Sequence, residues 1–157
     1  MIDFYQGNIF KAPINILIHS CNCYHKHGAG IAKDIKIKYP RSFQADCLTP
    51  YGSRAKLGQF YVTAPADDQP FWILGCYTQH RYGRDKQYVE YDKFSDCMEN
   101  VKNWVLKMDI KNPVIGIPYH ISCQNAGGSW EKILSIIRYH FSDCEEIKVI
   151  ICKKIQN

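Results

Sequence analysis

The stretch Ile16 to Ala32, ILIHSCNCYHKHGAGIA, constrains this chain of 157 residues more than any other, because a buried-strand pattern runs into a small-residue turn and then into a helix. Ile14, Ile16, Leu17 and Ile18 form a short apolar run rich in β-branched residues behind Pro13. This predicts a strand, Ile14 to His19, buried on both faces and set in a parallel sheet. Ser20, Cys21 and Asn22 stand at its carboxyl end, and Gly28-Ala29-Gly30 opens a helix, Ile31 to Tyr39, that stops at Pro40. Backbone amides converge at such a helix start. Glycine there lets the main chain approach an anion closely, and the helix dipole favours negative charge. The same residues also fit a plain strand-to-helix connection whose glycines serve only the turn.

The rest of the chain alternates strands and helices. Ile2 to Gln6 reads as a first strand, and Arg41 to Cys47 as an added helical turn. Gln59 to Ala64 and Phe71 to Tyr77 read as a strand pair around the turn-rich Pro65 to Pro70. The spacing Phe94, Met98, Val101, Val105 predicts an amphipathic helix from Tyr91 to Met108. Val114 to Pro118 is a short central strand, Trp130 to Phe141 a helix and Ile147 to Cys152 a closing strand. Repeated β and α elements predict an α/β fold, a three-layer α/β/α sandwich with a central mixed sheet, in one domain spanning residues 1–157.

Three loops then fall at the carboxyl ends of strands, where ligands bind in such sheets. They are Gly7-Asn8-Ile9, Ser20 to Ala32, and Ile121 to Ser129, the last a second glycine loop, ISCQNAGGS, at a helix start. Ser129 is the expected N-cap of that helix, without the glutamate or glutamine that would complete a capping box. As simple connections, Asn8 would be a turn residue and Gly127-Gly128 a flexible joint.

A formal charge of +5 suits an anionic ligand, but the cations are scattered, with small groupings such as Lys33/Lys36/Lys38 and Arg81/Arg84/Lys86. No stripe or motif marks a nucleic-acid binder. The N-terminus lacks the basic and apolar regions of a signal peptide and no run approaches a membrane span, so a cytoplasmic protein is expected. Eight cysteines in such a chain read as reduced, small apolar groups rather than a disulfide framework. His19, Cys21, Cys23, His25 and His27 alternate zinc-type ligand residues, but one tetrahedron would need sharp bending, and zinc sites usually space their cysteines differently. No metal and no cofactor are expected.

Gly7-Asn8-Ile9-Phe10, HSCNC-x4-GAGIA and the late IPYHISCQNAGGSW together resemble the macro domain, an ADP-ribose-binding module, over nearly the whole chain. Within that superfamily the pattern looks most like yeast-type ADP-ribose 1″-phosphate phosphatases and is similar to phage-encoded macro proteins. The resemblance implies a monomer binding a small-molecule ADP-ribose derivative. Asn8, with Gly7 and Ile9, would recognise the adenine amino group. Asn22 would orient the distal ribose and its phosphate, since an amide both donates and accepts. Ser20, Cys21, His27 and the amides of Gly28, Ala29, Gly30, Ile31 and Ala32 would hold the diphosphate from one side. Ile121, Ser122, Cys123, Gln124, Asn125, Ala126, Gly127 and Gly128 would hold it from the other.

His19, inside the motif, is the candidate for proton transfer, although strand alternation turns it to the face opposite Asn22. Tyr82 would cap the distal ribose and Arg84 meet a terminal phosphate. Gln79, His80, His27 and His120 are further candidate bases. Compared with the human terminal ADP-ribose glycohydrolase, which it resembles less directly, the chain has Ala126 in place of a catalytic aspartate and no clear lysine after Tyr77. It also has Ala32 where ester-cleaving macro domains often carry an acid. Three activities follow as expectations. The first is phosphatase action giving ADP-ribose and inorganic phosphate, without a metal. The second is removal of ADP-ribose from protein or nucleic acid, and the third is binding without turnover.

Overall fold

In the computed structural model, which describes residues 1–123 and 126–155, the apolar runs become β1 (Ile2–Gln6), β2 (Ile16–Cys21), β3 (Phe60–Thr63), β4 (Trp72–Tyr77), β5 (Val114–Pro118) and β6 (Lys148–Lys153). The helices are α1 (Gly30–Lys38), α2 (Pro40–Cys47), α3 (Tyr91–Met108) and α4 (Trp130–Phe141), with 3₁₀ turns at Ile9–Lys11 and Arg54–Lys56. One sheet in the order β1-β6-β5-β2-β4-β3 has parallel neighbours throughout except β3, which pairs antiparallel to β4 at the edge. The expected three-layer sandwich with a mixed sheet is therefore the fold.

Alternation along the strands assigns the two layers. Ile16, Ile18, Leu74, Cys76, Ile115, Ile117, Val149 and Ile151 face α3 and α4. The stripe Phe94, Met98, Val101, Val105 of α3 and the i, i+4 series Ile133, Ile137, Phe141 of α4 close that side. Leu17, Ile73 and Ile150 face the other way, toward Ile35 of α1. Each fully buried side chain of this kind contributes roughly 1.5–3 kcal/mol.

β2 begins two residues later than its apolar run suggests. Asn15 is held first, its side chain accepting from Val114 N–H at 2.7 Å and donating to Asn112 O at 3.1 Å, and Ile14 instead covers Gly116 of β5. Ser20 and Cys21 consequently belong to the strand. α2 is a complete two-turn helix rather than a single turn, with Pro40 at its first position and Ser42 and Asp46 buried.

A row of three residues explains that buried polar face. His19 of β2, Gly75 of β4 and Tyr61 of β3 stand in register across three strands. Because Gly75 has no side chain, the Tyr61 ring lies over it and its hydroxyl reaches His19 Nε2 at 2.7 Å and Ser42 Oγ at 2.5 Å. A Cβ on Gly75 would sit 1.8 Å from Tyr61 Cε2. Gly75→Ala therefore destabilises the fold by about 3 kcal/mol or more, read as a lowered urea midpoint.

Burial, followed by the neighbouring His27, lowers the His19 imidazole from 6.5 to about 3. As pH falls from 6.5 toward 3, the unfolded chain takes up a proton that the native imidazole refuses, so stability is lost on acidification. The loss approaches about 1.4 kcal/mol per pH unit. Urea unfolding at pH 7 and pH 5 checks this: the wild type loses stability by about 1–2 kcal/mol more than His19→Gln, which keeps a polar partner for Tyr61 but does not titrate.

Candidate functional site

β2 and β5 pair only through Ile16 with Ile115 and Leu17 with Gly116, after which they part. β2 leads on to α1, α2 and the β4/β3 side of the sheet, whereas β5 leads through α4 to β6 on the other side. The crevice at their carboxyl ends is thus a topological switch point, the place where an open α/β sheet accepts a ligand. Two adjoining clefts, of about 420 and 790 Å³, occupy it and share Gly30, Ile31, Pro118, Tyr119 and His120 as a common wall.

The first wall of the smaller cleft is the β2–α1 loop. Ala29 takes the cap position with extended backbone and no side chain to offer, Gly30 adopts φ +60°, and the first helical bond is Lys33 N–H to Ala29 O at 3.4 Å. The amides of Gly30, Ile31 and Ala32 therefore have no carbonyl behind them and face the cleft that these residues line. Asn22, 7% exposed, organises the loop beneath them: its Oδ1 accepts from Tyr24 N–H at 2.9 Å and Lys26 N–H at 3.3 Å, and its Nδ2 donates to Lys26 O at 2.9 Å. One amide hydrogen of Asn22 is left for the cleft.

The opposite wall is the loop after β5. His120 and Ser122 adopt φ +61° and +63°, which turns the chain back so that Gly128 N–H donates to Ser122 O at 3.0 Å. Ser20 Oγ of β2 meets Ser122 Oγ at 2.5 Å and joins the two walls across the floor. Ser129 occupies the cap position of α4, but its side chain makes no cap bond. Its N–H instead donates to the Tyr91 hydroxyl at 2.9 Å.

The third wall is the segment after β4, which contributes Gln79, Tyr82, Gly83 and Arg84. Tyr88 and Val89 N–H both donate to Ala126 O, at 2.7 and 3.1 Å, so this segment is bound to the second glycine loop. Gly127 has φ +68°, and a Cβ there would lie 2.7 Å from Lys86 O. Glycine is required at this approach by space and by backbone conformation alike.

The larger cleft holds Gly7, Asn8, Ile9, Phe10, Asp34, Lys38 and the β6 end, Cys152 to Lys154. Asn8 Oδ1 accepts from Phe10 N–H at 2.9 Å and caps the 3₁₀ turn, so the side chain is a turn residue that also borders the cleft.

Of the expected site residues, Gly7, Asn8, Ile9, Ser20, Asn22, Gly28, Ala29, Gly30, Ile31, Ala32, Tyr82, Ile121, Ser122 and Ala126 meet at the paired clefts. Gln124 and Asn125 lie outside the described residues. Others stand elsewhere. His19 is fully buried behind β2 with Tyr61, so its imidazole reaches no ligand in the cleft, and its expected part in proton transfer is withdrawn. His27 points back to Asp46, its Nε2 2.7 Å from Oδ2. Cys21 packs with Cys23, Leu57, Tyr61 and Tyr77, and burial, its largest influence, raises its thiol well above the ordinary value. Cys123, Gly127 and Gly128 support the second loop without lining a cleft.

Sequence reasoning passed over Lys26, Gly83 and Tyr119. Tyr119 stacks on His120 at 4.0 Å between ring centroids and packs against Trp130 at 4.9 Å. An aromatic residue directly after a strand that ends at the switch point was the available signal. Among the described residues, no group of three or more His, Cys, Asp or Glu is placed to hold a metal ion, and no helix is long and apolar enough to cross a membrane.

Comparison with known proteins places this geometry. An uncharacterized 17.5 kDa protein of enterobacteria phage T4 is 29% identical over 95% of this chain and 96% of its own length. A DNA ADP-ribosyl glycohydrolase of Thermus aquaticus is 23% identical over the whole chain, which spans only 42% of that protein. An ADP-ribose 1″-phosphate phosphatase of Aspergillus oryzae is 51% identical over 41% of the chain and 32% of its own length. The macrodomain of Thermus aquaticus DarG superposes with a TM-score of 0.77 over 97% of both chains at 18% identity. Thermosipho africanus DarTG in complex with ADP-ribose gives 0.74 at 18% identity, over 96% of this chain and 41% of that one. The family model for the macro domain matches residues 18–137, from within β2 into α4, and the chain belongs to the macro domain family.

Proposed function

We propose that the protein is an ADP-ribose 1″-phosphate phosphatase. The observation that carries this reading is the lining of the smaller cleft: Lys26 and Arg84 stand there with His120, and among the described residues no aspartate or glutamate does. A pocket of cations and amides suits a phosphomonoester dianion, and it offers no carboxylate for chemistry at a glycosidic carbon. The partial relatives named as phosphatases support the same choice.

In this reading the adenosine lies in the larger cleft beside Asn8 and Phe10, and the diphosphate lies across the shared wall on the amides of Gly30, Ile31 and Ala32. The distal ribose meets the free amide hydrogen of Asn22, with Tyr82 over it, and the terminal phosphate lies against Lys26 and Arg84. Water attacks phosphorus and the bond from phosphorus to the ribose 1″ oxygen breaks. That oxygen leaves with a proton as ADP-ribose, and inorganic phosphate is released. His120, a histidine that does line the cleft, takes the proton-transfer role expected of His19. Fixed amides and guanidinium and ammonium groups stabilise the developing charge without reorganising.

A second reading has one observation in its favour. The relative named as a DNA ADP-ribosyl glycohydrolase aligns with the whole chain, and Arg81 and Lys86 stand exposed on the segment that forms the third wall. In that reading the cleft holds an ADP-ribosyl group still attached to nucleic acid.

Phosphate release from ADP-ribose 1″-phosphate in the presence of a chelator, beside calorimetric binding of ADP-ribose, separates these readings. Release by the wild type that falls about 100-fold or more in Asn22→Ala supports the phosphatase. Arg84→Ala lowers release of the terminal phosphate while ADP-ribose, which lacks that group, binds as before. Release of ADP-ribose from a modified oligonucleotide without phosphate release sinks the phosphatase reading in favour of the second. Binding with no product from either substrate leaves a binding module.

A further inference from the structure

We propose that Asp46, which touches no cleft, is the positioning residue that fixes two walls of the smaller cleft against each other. Its carboxylate is fully buried on the inner face of α2. Oδ2 accepts from His27 Nε2 at 2.7 Å and lies 3.2 Å from His25 Nδ1, while Oδ1 accepts from the Tyr77 hydroxyl at 2.6 Å. His25 and His27 belong to the β2–α1 loop, with His27 directly before Gly28. Tyr77 ends β4 and is followed by the segment that carries Gln79, Tyr82 and Arg84. One buried anion therefore holds the amide cradle and the third wall from behind.

Three features make the tie specific. His27 has no other polar partner among the described residues, since its buried Nδ1 is unpaired. His25 is held at φ +57°, a conformation a non-glycine residue keeps only under constraint. Burial alone would raise the Asp46 carboxyl, but the hydrogen bonds from His27 and Tyr77 outweigh it and hold the group below the ordinary carboxylate range. Asn22 sets the shape of the loop from inside, and Asp46 sets where the loop stands.

The proposal takes its ligand from the phosphatase reading, and adenosine, which has no phosphate, serves as a probe of the adenosine end alone. In Asp46→Asn the charge is lost and an amide NH2 replaces the oxygen that accepts from His27, which loosens the loop. ADP-ribose affinity measured by calorimetry falls about tenfold or more, adenosine affinity is unchanged, and kcat for phosphate release falls more than KM rises. His27→Phe, which breaks the loop's own link and packs beside Phe43, gives the same pattern. The double variant is no worse than Asp46→Asn alone, because His27 enters the tie only through Asp46.

Wild-type affinity for ADP-ribose in a folded Asp46→Asn overturns the proposal, as does equal weakening toward ADP-ribose and adenosine. If Asp46→Asn fails to unfold cooperatively, His27→Phe alone decides by the same readouts. If the wild type binds no ADP-ribose, the phosphatase reading fails by itself, and the backbone amide resonances of Gly30, Ile31 and Ala32 in the free protein decide here. They shift in His27→Phe if the tie sets the loop, and stay in place if it does not.

Discussion

Strands β2 and β5 share two residue pairs and then separate, and almost every feature of the site follows from that short pairing. Had the ladder continued along both strand ends, their backbone groups would have been turned to each other in hydrogen bonding across it. Their divergence leaves a gap bridged only at its floor, by Ser20 and Ser122, and roofed by two loops. The helices that follow the two strands lie on opposite faces of the sheet, so their amino ends approach the gap from both sides. Such a gap, with helix amino ends on both sides, favours a negatively charged ligand.

The residues rich in chemistry are divided between the front and the back of the β2–α1 loop. Facing the ligand are amides, hydroxyls, carboxamides and two cations. Behind the loop lie His19, His25, His27, Asp46, Tyr61 and Tyr77, joined through Ser42 and Asp46 of a single short helix. Such a network is stable only when its members find partners in a low-dielectric interior, and it rewards one arrangement of the backbone over its neighbours. The front of the loop is therefore made of groups that need little desolvation to meet a phosphate, and the back of groups that make the loop rigid.

Elements with strong periodicity were legible from the residues alone. β1, α3, β5 and α4 have the limits that their sequence patterns predict, and the two helices do so because each buries one continuous stripe. The cleft was legible wherever small residues follow a strand. What could not be read were side-chain directions and distant partners. His19 carries a residue type suited to catalysis and stands in the motif, but its neighbour across β4 is a glycine and the next strand supplies a tyrosine that claims it. PRSFQADC looks like an exposed polar turn, and nothing local says that Ser42 and Asp46 face inward to residues more than fifteen positions away. Lys26 and Tyr119 were passed over for the opposite reason, being ordinary surface types placed by loops whose path only the fold reveals.

The contact between Gly127 and the main chain at Lys86 and Gln87 has a consequence for how such a cleft is diversified. From Lys86 to Val89 the third wall runs backbone to backbone against the second glycine loop and has no slack, since any insertion would move the Ala126 carbonyl from both of its donors. Among the described residues, the stretch from Arg81 to Asp85 has no such backbone tether to that loop. Length changes there would reshape the mouth of the cleft while leaving the anion cradle untouched. The part of this segment that borders the mouth of the cleft and the part that fixes the second glycine loop are thus adjacent but separate stretches of chain.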